Sequence, residues 1–145
     1  MIALLQRVTN ARVEVEGLKV GSIEGGVLGL IGVVPSDSPQ SAKRLAERIL
    51  SYRIFADGAG KMNLSVSDAG GGVLLVPQFT LAADTRSGTR PGFSTAASAA
   101  HAGALFEELV RQVRGAHPAT QVGQFGAHMH VTLTNDGPVT FWLES

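Results

Sequence analysis

The sequence predicts one α+β domain that spans residues 1–145, and three observations support this prediction. The chain has 145 residues, which fits one domain and is too short for two comfortable ones. Alternating or continuous apolar runs, separated by glycine-rich turns, indicate several strands. Two further stretches place apolar residues at helical spacing and are predicted to be helices. Along the chain, the predicted elements follow the order four strands, helix, strand, helix and then two or three strands. That order predicts mixed sheets.

The first four strands are predicted before residue 35. Ile2 to Val8 has the composition of a strand, and Ala11 to Glu16 alternates apolar and charged residues, as a strand with one solvent-exposed face does. Gly17 turns the chain toward a third strand at Lys19–Ile23. Val27 to Val34 is a nearly continuous apolar run, which is typical of a strand covered on both faces.

Two main helices are predicted from capping residues and helical spacing. The first begins with Ser38 as N-cap and Pro39 at the first helical position, and it continues to about Tyr52. Ser98 is the predicted N-cap of the second. The apolar residues that share one face of this second helix are Ala102, Leu105, Phe106, Leu109, Val110 and Val113.

The remaining elements are a buried strand, a long loop and two last strands. Val73 to Val76 forms the buried strand and ends at Pro77. The stretch from Leu81 to Ser98 has no clear periodicity, and loops of this length in compact domains are usually functional. The last two strands are predicted near Ala127–Thr134 and Val139–Glu144, joined by a turn.

Composition excludes several classes of protein. Lys and Arg number 12 and Asp and Glu number 12, so a nucleic-acid partner must be held by a local patch rather than by net charge. The absence of cysteine excludes disulfide scaffolds, thiolate metal sites and cysteine nucleophiles. The N-terminal segment turns polar at Gln6, too early for a secretory signal or a membrane span. We therefore expect a cytoplasmic protein with no membrane partner.

Common motifs for phosphates, metals and serine nucleophiles are missing or incomplete. Gly60-Lys61 lacks the flanking residues of a Walker loop, and Gly70-Gly71-Gly72 precedes a strand, whereas a dinucleotide loop follows one. No Gly-x-Ser-x-Gly elbow exists. His128 and His130 share one strand face, but a zinc site needs a further ligand and none is nearby. We interpret both histidines as part of a solvated face and expect no metal and no cofactor.

Three segments do not have the pattern of packed structure. They are Pro77–Leu81 at the end of a buried strand, Asp84–Pro91 with two arginines and several hydroxyls, and Asn135–Thr140 near the C-terminus. The residues alone leave open whether each segment is an ordinary turn or a functional site.

Five motifs resemble the D-aminoacyl-tRNA deacylase family, in the same order and nearly end to end. They are Met1–Val8, Tyr52–Phe55, Gly60–Leu64, Gln78–Asp84 and Asn135–Thr140. The resemblance implies a cytoplasmic homodimer of three-layer α/β/β domains with mixed, largely antiparallel sheets. It implies a hydrolase that cleaves the ester between a D-amino acid and the 3′ CCA end of a tRNA. The family also removes glycine mischarged onto alanine tRNA.

The resemblance also implies roles for particular residues. Backbone N–H groups around Gln78, Phe79 and Thr80 would stabilise an oxyanion, and the free 2′-hydroxyl of the terminal ribose would assist attack or activate a water. Thr80 is the obvious hydroxyl nucleophile, but no His or Lys lies at a motif position beside it, so we favour the main-chain mechanism. Gly137 and Pro138 would share a cis peptide bond. Their carbonyls would enter the partner subunit's pocket, hold the substrate amino group and leave no room for an L side chain.

Four cations are candidates for contact with the tRNA phosphates. Arg86 and Arg90 follow the catalytic motif, and Arg53 and Lys61 belong to a basic third of the chain. The neighbouring cations of the first helix could equally be a solvated face.

One position departs from the family pattern. The first motif of the family usually reads Ser-Gln-Phe-Thr, and here Pro77 occupies the Ser position. Proline has no hydroxyl and no backbone N–H. An active protein therefore does not need that Ser side chain, and an inactive one would have Pro77 as the first suspect. Two alternatives remain: a non-catalytic nucleic-acid-binding protein with the same fold, and a relative with a trans Gly-Pro bond that removes L-aminoacyl errors.

Overall fold

The computed structural model describes residues 1–145, and its backbone contains eight strands, three α-helices and one 3₁₀ turn. In chain order these are β1 (Ile2–Val15), β2 (Leu18–Ile23), β3 (Gly26–Gly32), α1 (Pro39–Ser51), β4 (Phe55–Ala56), β5 (Met62–Leu64), α2 (Val66–Ala69), β6 (Gly72–Pro77), the 3₁₀ turn (Phe79–Ala82), α3 (Ala99–Ala116), β7 (Thr120–Val122) and β8 (His130–Glu144). None of the helices combines the length and apolar character needed to cross a membrane.

Six strands form one mixed sheet around the long strand β1. The first half of β1 pairs antiparallel with β3, its second half pairs antiparallel with β2, and β8 runs antiparallel along nearly its whole other edge. Next to β3 follow β6 and β7, both in parallel pairing. The two strands predicted in the first 16 residues are therefore one continuous strand.

Alternating residues of the central strands face two separate cores, and this alternation produces three layers. Val73 and Leu75 of β6 belong to the larger core, which also contains Leu45 of α1 and Leu109 of α3. Leu74, the residue between them, belongs to a smaller core with residues of the second half of β1 and of β2. The helices thus cover one face of the central strands, and the second half of β1 together with β2 covers the other.

Both predicted helices begin at the expected caps. The Ser38 side chain accepts a hydrogen bond from the backbone N–H of Ser41, and Pro39 is the first residue of α1. Ser98 caps α3 by accepting from the N–H of His101 over 3.3 Å. The predicted inner face of α3 is buried, except that Val110 is half-exposed.

The prediction of two separate C-terminal strands joined by a turn is wrong. β8 is a single strand, because β1 offers one uninterrupted edge on which both segments pair in the same direction. Gln6 pairs with Thr140 and Val8 with Asn135, so the four residues 136–139 of β8 bulge out opposite the single residue Arg7. The short elements β4, β5, α2 and β7 were not predicted, because two to four residues are too few to show a periodicity.

Candidate active site

The segment that follows β6 is a tight turn with free donors at its start. The N–H of Gln78 donates to the carbonyl of Ile31 in the neighbouring strand over 2.7 Å, and the N–H of Leu81 donates to the carbonyl of Gln78 over 3.2 Å. A helical turn leaves its first N–H groups without partners of its own, here those of Phe79 and Thr80. No side chain caps this turn.

A glycine in the neighbouring strand lets the turn lie close to the sheet. A Cβ added to Gly32 of β3 would meet Cβ of Leu81 at 3.0 Å and the carbonyl oxygen of Gln78 at 3.5 Å. The distance to Gln78 is an ordinary contact, but the one to Leu81 Cβ is tight enough that the turn must give by a few tenths of an ångström. The position of the candidate turn therefore depends on the absence of a side chain at residue 32.

The side chains of the turn do not form a nucleophile with its base. Thr80 Oγ1 accepts a hydrogen bond from Gln78 Nε2 over 2.5 Å. A carboxamide N–H is a donor and cannot remove a proton from the hydroxyl. The Phe79 ring is 59% exposed and lies 5.1 Å, centroid to centroid, from the ring of Phe93 in the long loop.

A cavity of about 500 Å³ opens beside the turn. One wall is formed by Pro77, Gln78 and Phe79, and a second wall by Phe125–Met129 and Val131. Cavities of this size with mostly apolar walls and a few polar groups are typical of small-ligand sites. The second wall was not predicted as part of a site, because its residues from Ala127 onward were assigned to a strand; that strand, β8, begins only at His130, so His128 lies outside it.

His128 of this second wall and the neighbouring His130, the first residue of β8, do not form part of a metal cluster. The rings of His128 and His130 are 5.3 Å apart. No group of three or more His, Cys, Asp or Glu side chains that could hold a metal ion is present in the chain.

The loop after the turn carries two arginines, of which one forms an ion pair and the other does not. Backbone hydrogen bonds between Asp84 and Gly92 close the loop. The Arg86 guanidinium donates to both carboxylate oxygens of Asp84, over 2.8 and 2.7 Å. These bonds hold the pKa of the Asp84 carboxyl below its usual range and raise the pKa of Arg86. Arg90 is exposed and has no ion-pair partner.

The Gly137–Pro138 peptide bond is cis and lies at the tip of the β8 bulge. The two ends of the bulge are joined by one side chain, since Asn135 Oδ1 accepts from the N–H of Val139 over 2.7 Å and Asn135 Nδ2 donates to Thr140 Oγ1 over 2.9 Å. Gly137 and Pro138 are both exposed.

Arg7 holds the bulge from the opposite strand, a role that was not predicted from the sequence. Its Nε donates to the carbonyl oxygen of Asp136 over 3.0 Å, and its Nη1 donates to the carbonyl of Ile54 over 2.6 Å. The Asp136 carboxylate lies 3.5 Å from the same guanidinium. A lone cation in the apolar run Ile2–Val8 was the available signal.

The other two candidate cations, Arg53 and Lys61, lie in the segment that follows α1. Arg53 directly precedes Ile54, whose carbonyl accepts from Arg7, and Lys61 lies in the following β4–β5 hairpin. Both are exposed and neither forms an ion pair. The hairpin is closed by Asp57, whose carboxylate accepts from the Asn63 side chain and two backbone N–H groups, which lowers the pKa of Asp57.

Within one chain, the candidate turn and the Gly137–Pro138 bulge lie far apart. The bulge is opposite Arg7, which is in register with Val27 of β3 and Val73 of β6. The turn begins after Pro77, four residues further along β6 and three strands away from β8. Strands lie about 4.8 Å apart and rise about 3.3 Å per residue, so the separation is about 20 Å.

Comparisons with known proteins give consistent matches over the whole chain. The family model described as D-Tyr-tRNA(Tyr) deacylase matches residues 4–144. A D-aminoacyl-tRNA deacylase of Thioalkalivibrio sulfidiphilus (strain HL-EbGR7) is 60% identical over 144 residues, which cover 99% of this chain and 97% of the relative. One of Azotobacter vinelandii (strain DJ / ATCC BAA-1303) is 57% identical over 145 residues and covers 100% of both chains.

Two solved structures have the same fold. A structure named c-Myc DNA Unwinding Element Binding Protein superposes with a TM-score of 0.95 and 36% identity, covering 100% of this chain and 99% of the other. A probable eukaryotic D-amino acid tRNA deacylase superposes with a TM-score of 0.88, covering 99% and 98%. The second likeness has 16% identity and bears on the fold alone. The predicted α+β fold class is confirmed.

Proposed function

The chain belongs to the D-Tyr-tRNA(Tyr) deacylase family, and from this premise we propose that it hydrolyses the ester between a D-amino acid and the 3′ end of a tRNA. The observation that carries the proposal is the turn at Phe79–Ala82, whose first residue lines a cavity and whose first N–H groups have no capping side chain. An aminoacyl ester is already activated, so the protein has to position it, stabilise an oxyanion and select the substrate.

The proposed reaction uses the main chain and the substrate's own ribose. A water attacks the ester carbonyl carbon, and the N–H groups of Phe79 and Thr80 stabilise the resulting oxyanion. The 2′-hydroxyl of the terminal ribose assists the removal of a proton from that water. The bond between the carbonyl carbon and the 3′-oxygen then breaks, the 3′-oxygen takes a proton, and a free D-amino acid and a deacylated tRNA leave.

A covalent mechanism through Thr80 has less support. A hydroxyl needs a neighbouring base to become a useful nucleophile. The hydrogen-bond partner of Thr80 Oγ1 is the Gln78 carboxamide, which donates to it. The proposal therefore assigns Gln78 the task of orienting the Thr80 side chain and assigns the chemistry to backbone donors.

Selection for D-amino acids is proposed to come from a second copy of the chain. The exposed Gly137–Pro138 bulge lies about 20 Å from the turn of its own chain, by the strand spacing and rise per residue. A homodimer in which each bulge enters the partner's cavity would bring the two motifs together. The carbonyls of Gly137 and Pro138 would then hold the substrate amino group and exclude an L side chain. Glycine has no side chain to exclude, so glycine mischarged onto alanine tRNA is a second proposed substrate.

The tRNA phosphates are proposed to contact cations at both ends of this composite site. Arg90 and Arg86 lie on the loop after the turn, Arg53 precedes the residue that Arg7 contacts below the bulge, and Lys61 lies in the following hairpin. A dimer that inserts the bulge into the partner's cavity would bring the two pairs from different subunits to one surface. Arg86 already shares its charge with Asp84, so Arg90 is the stronger candidate of its pair.

A non-catalytic nucleic-acid-binding protein is the second candidate function. Pro77 in place of the usual Ser favours it. The DNA-binding name of a relative with 36% identity is a second observation in its favour. The unaltered Gln78–Thr80 and Gly137–Pro138 motifs argue against it.

A deacylation time course distinguishes these functions. We expect the wild type to hydrolyse D-Tyr-tRNA and Gly-tRNA and to spare L-Tyr-tRNA. Thr80→Ala should retain most of this activity, because it keeps the backbone N–H. Loss of activity in Thr80→Ala would favour the covalent mechanism. Hydrolysis of the L ester would point to the relative with the opposite selectivity, and a folded, dimeric wild type that hydrolyses none of the three esters would favour the binding protein.

A further inference from the structure

A second cavity of about 560 Å³ lies between α3 and β7, outside the site described above. Its lining includes Arg111 and Arg114 from the exposed side of α3, and the rings of Phe106 and Phe125. Aromatic rings beside arginines are the combination that binds unpaired nucleotides, because bases stack on the rings and phosphates pair with the guanidinium groups.

The two cavities adjoin at Phe125, which lines both of them. Its ring is 40% exposed and lies 6.3 Å, centroid to centroid, from that of Phe106. The ring rests over Gly103 of α3, where an added Cβ would be 3.6 Å from it. A chain of nucleotides that ends in the first cavity can therefore continue past Phe125 into the second.

The charges of the second cavity leave one cation free. Arg111 is occupied, because its guanidinium donates to both carboxylate oxygens of Glu108, which raises the pKa of Arg111. Arg114 has no ion-pair partner, and its Nε makes only a long hydrogen bond of 3.4 Å to the carbonyl of Thr120. Glu107 also lines the cavity, and a carboxylate there can accept from an exocyclic amino group such as that of cytosine.

We propose that this second cavity binds the unpaired nucleotide that precedes the terminal nucleoside of the tRNA 3′ end. Arg114 pairs with its phosphate, Phe125 stacks on its base and Glu107 accepts from the base amino group. The proposal rests on the proposed function, since it takes the acylated terminal nucleoside to occupy the cavity beside Gln78 and Phe79. It explains why an exposed, unpaired arginine and a partly exposed aromatic ring border the same opening.

The test compares three substrates that carry the same D-Tyr ester: the full tRNA, the trinucleotide CCA and adenosine alone. Arg114→Gln should lower kcat/KM about tenfold on the first two, as expected for one lost charge-assisted contact to phosphate. It should leave the adenosine ester unchanged, because that substrate does not reach the second cavity. In a plot of the logarithm of the tRNA binding constant against the logarithm of the salt concentration, the slope should also become shallower by about one. Lys19→Gln, an exposed cation on β2, is the charge-matched control and should have no effect.

Other outcomes overturn the inference. An equal loss on all three substrates would mean that Arg114 acts on the reacting ester, and no loss on any would mean that the cavity holds no nucleotide. A shift of Arg114→Gln from dimer to monomer, measured by light scattering, would identify the cavity as a subunit contact. If the wild type hydrolyses no ester, the proposed function fails. Binding of fluorescent, unacylated CCA to wild type and Arg114→Gln still decides the inference, which requires weaker binding by the variant.

Discussion

At the scale of single residues, the hydrogen bonds of the candidate turn divide its atoms into two groups. The Thr80 hydroxyl and the Gln78 carboxamide are bonded to each other over 2.5 Å. The N–H groups of Phe79 and Thr80 have no partner within the turn. Pro77 fits this division, because a mechanism that relies on these two donors needs neither a hydroxyl nor an N–H at residue 77. The departure from the family motif is therefore compatible with activity.

The Phe79 N–H can be tested by a pair of substitutions. Phe79→Ala removes the ring and keeps the N–H, whereas Phe79→Pro removes both, and proline is tolerated at the first position of a helical turn. We expect kcat of Phe79→Pro to be about 10² to 10³ lower than that of Phe79→Ala, the usual cost of one oxyanion donor. Equal rates for the two folded variants, measured on D-Tyr-tRNA, would exclude this donor from the mechanism.

At the scale of elements, one contact between a strand and a turn sets the position of the candidate donors. The turn lies against β3 at Gly32, and Pro77 ends the parallel pairing between β6 and β3. In another part of the same sheet, Arg7 of β1 and Asn135 of β8 hold the Gly137–Pro138 bulge in place. Each half of the proposed site is thus anchored to a strand, which is more rigid support than a free loop provides.

Gly32→Ala should displace the turn, and Gly115→Ala serves as its control. At residue 32 the new methyl would meet Leu81 Cβ at 3.0 Å, whereas at residue 115, in α3, nothing lies within 4 Å. We expect Gly32→Ala to lower deacylation at least tenfold. Gly115→Ala should keep full activity and gain about 0.5–1 kcal/mol in stability to unfolding, because alanine favours the helix.

Rates on D-Tyr-tRNA and urea unfolding measure the two effects. Full activity of a Gly32→Ala protein with an unchanged unfolding midpoint would contradict the view that this contact positions the donors.

At the scale of the whole molecule, the sheet keeps the two halves of the proposed site apart. Two strands, β1 and β3, lie between β8 and β6, and a strand cannot bend back across its own sheet to shorten that distance. In the proposed site, the exposed bulge would therefore meet the cavity of another copy of the chain. A two-fold dimer would contain two equivalent sites, each built from both subunits.

Mixing two inactive variants tests this arrangement. Phe79→Pro damages the turn. Gly137→Ala damages the bulge, because Gly137 has φ +139° and an added Cβ would meet Val139 Cγ2 at 2.6 Å. Random exchange of subunits makes half of the dimers mixed, each with one intact site, so activity should return to roughly a quarter of the wild-type value. No recovery after verified exchange would place the turn and the bulge of one site on the same subunit.

The sequence predicted the parts of this protein that depend on local physics. Ser38, Pro39 and Ser98 began their helices where capping rules placed them, since a cap needs only neighbouring backbone groups. The buried strand that ends at Pro77 followed from its apolar run. The family motifs, and with them the candidate residues Gln78–Thr80, were readable as a linear pattern.

Only the tertiary structure decided features that depend on contacts between distant residues. Asn135–Pro138 has the composition of a hairpin turn, and it became a bulge in one strand because β1 lies alongside both flanks. The role of Arg7 follows from strand pairing across 129 residues of sequence, which no local pattern records. The separation of the turn from the bulge is likewise set by strand order. Composition and periodicity report which groups are buried or capped, whereas the pairing of strands determines which groups meet.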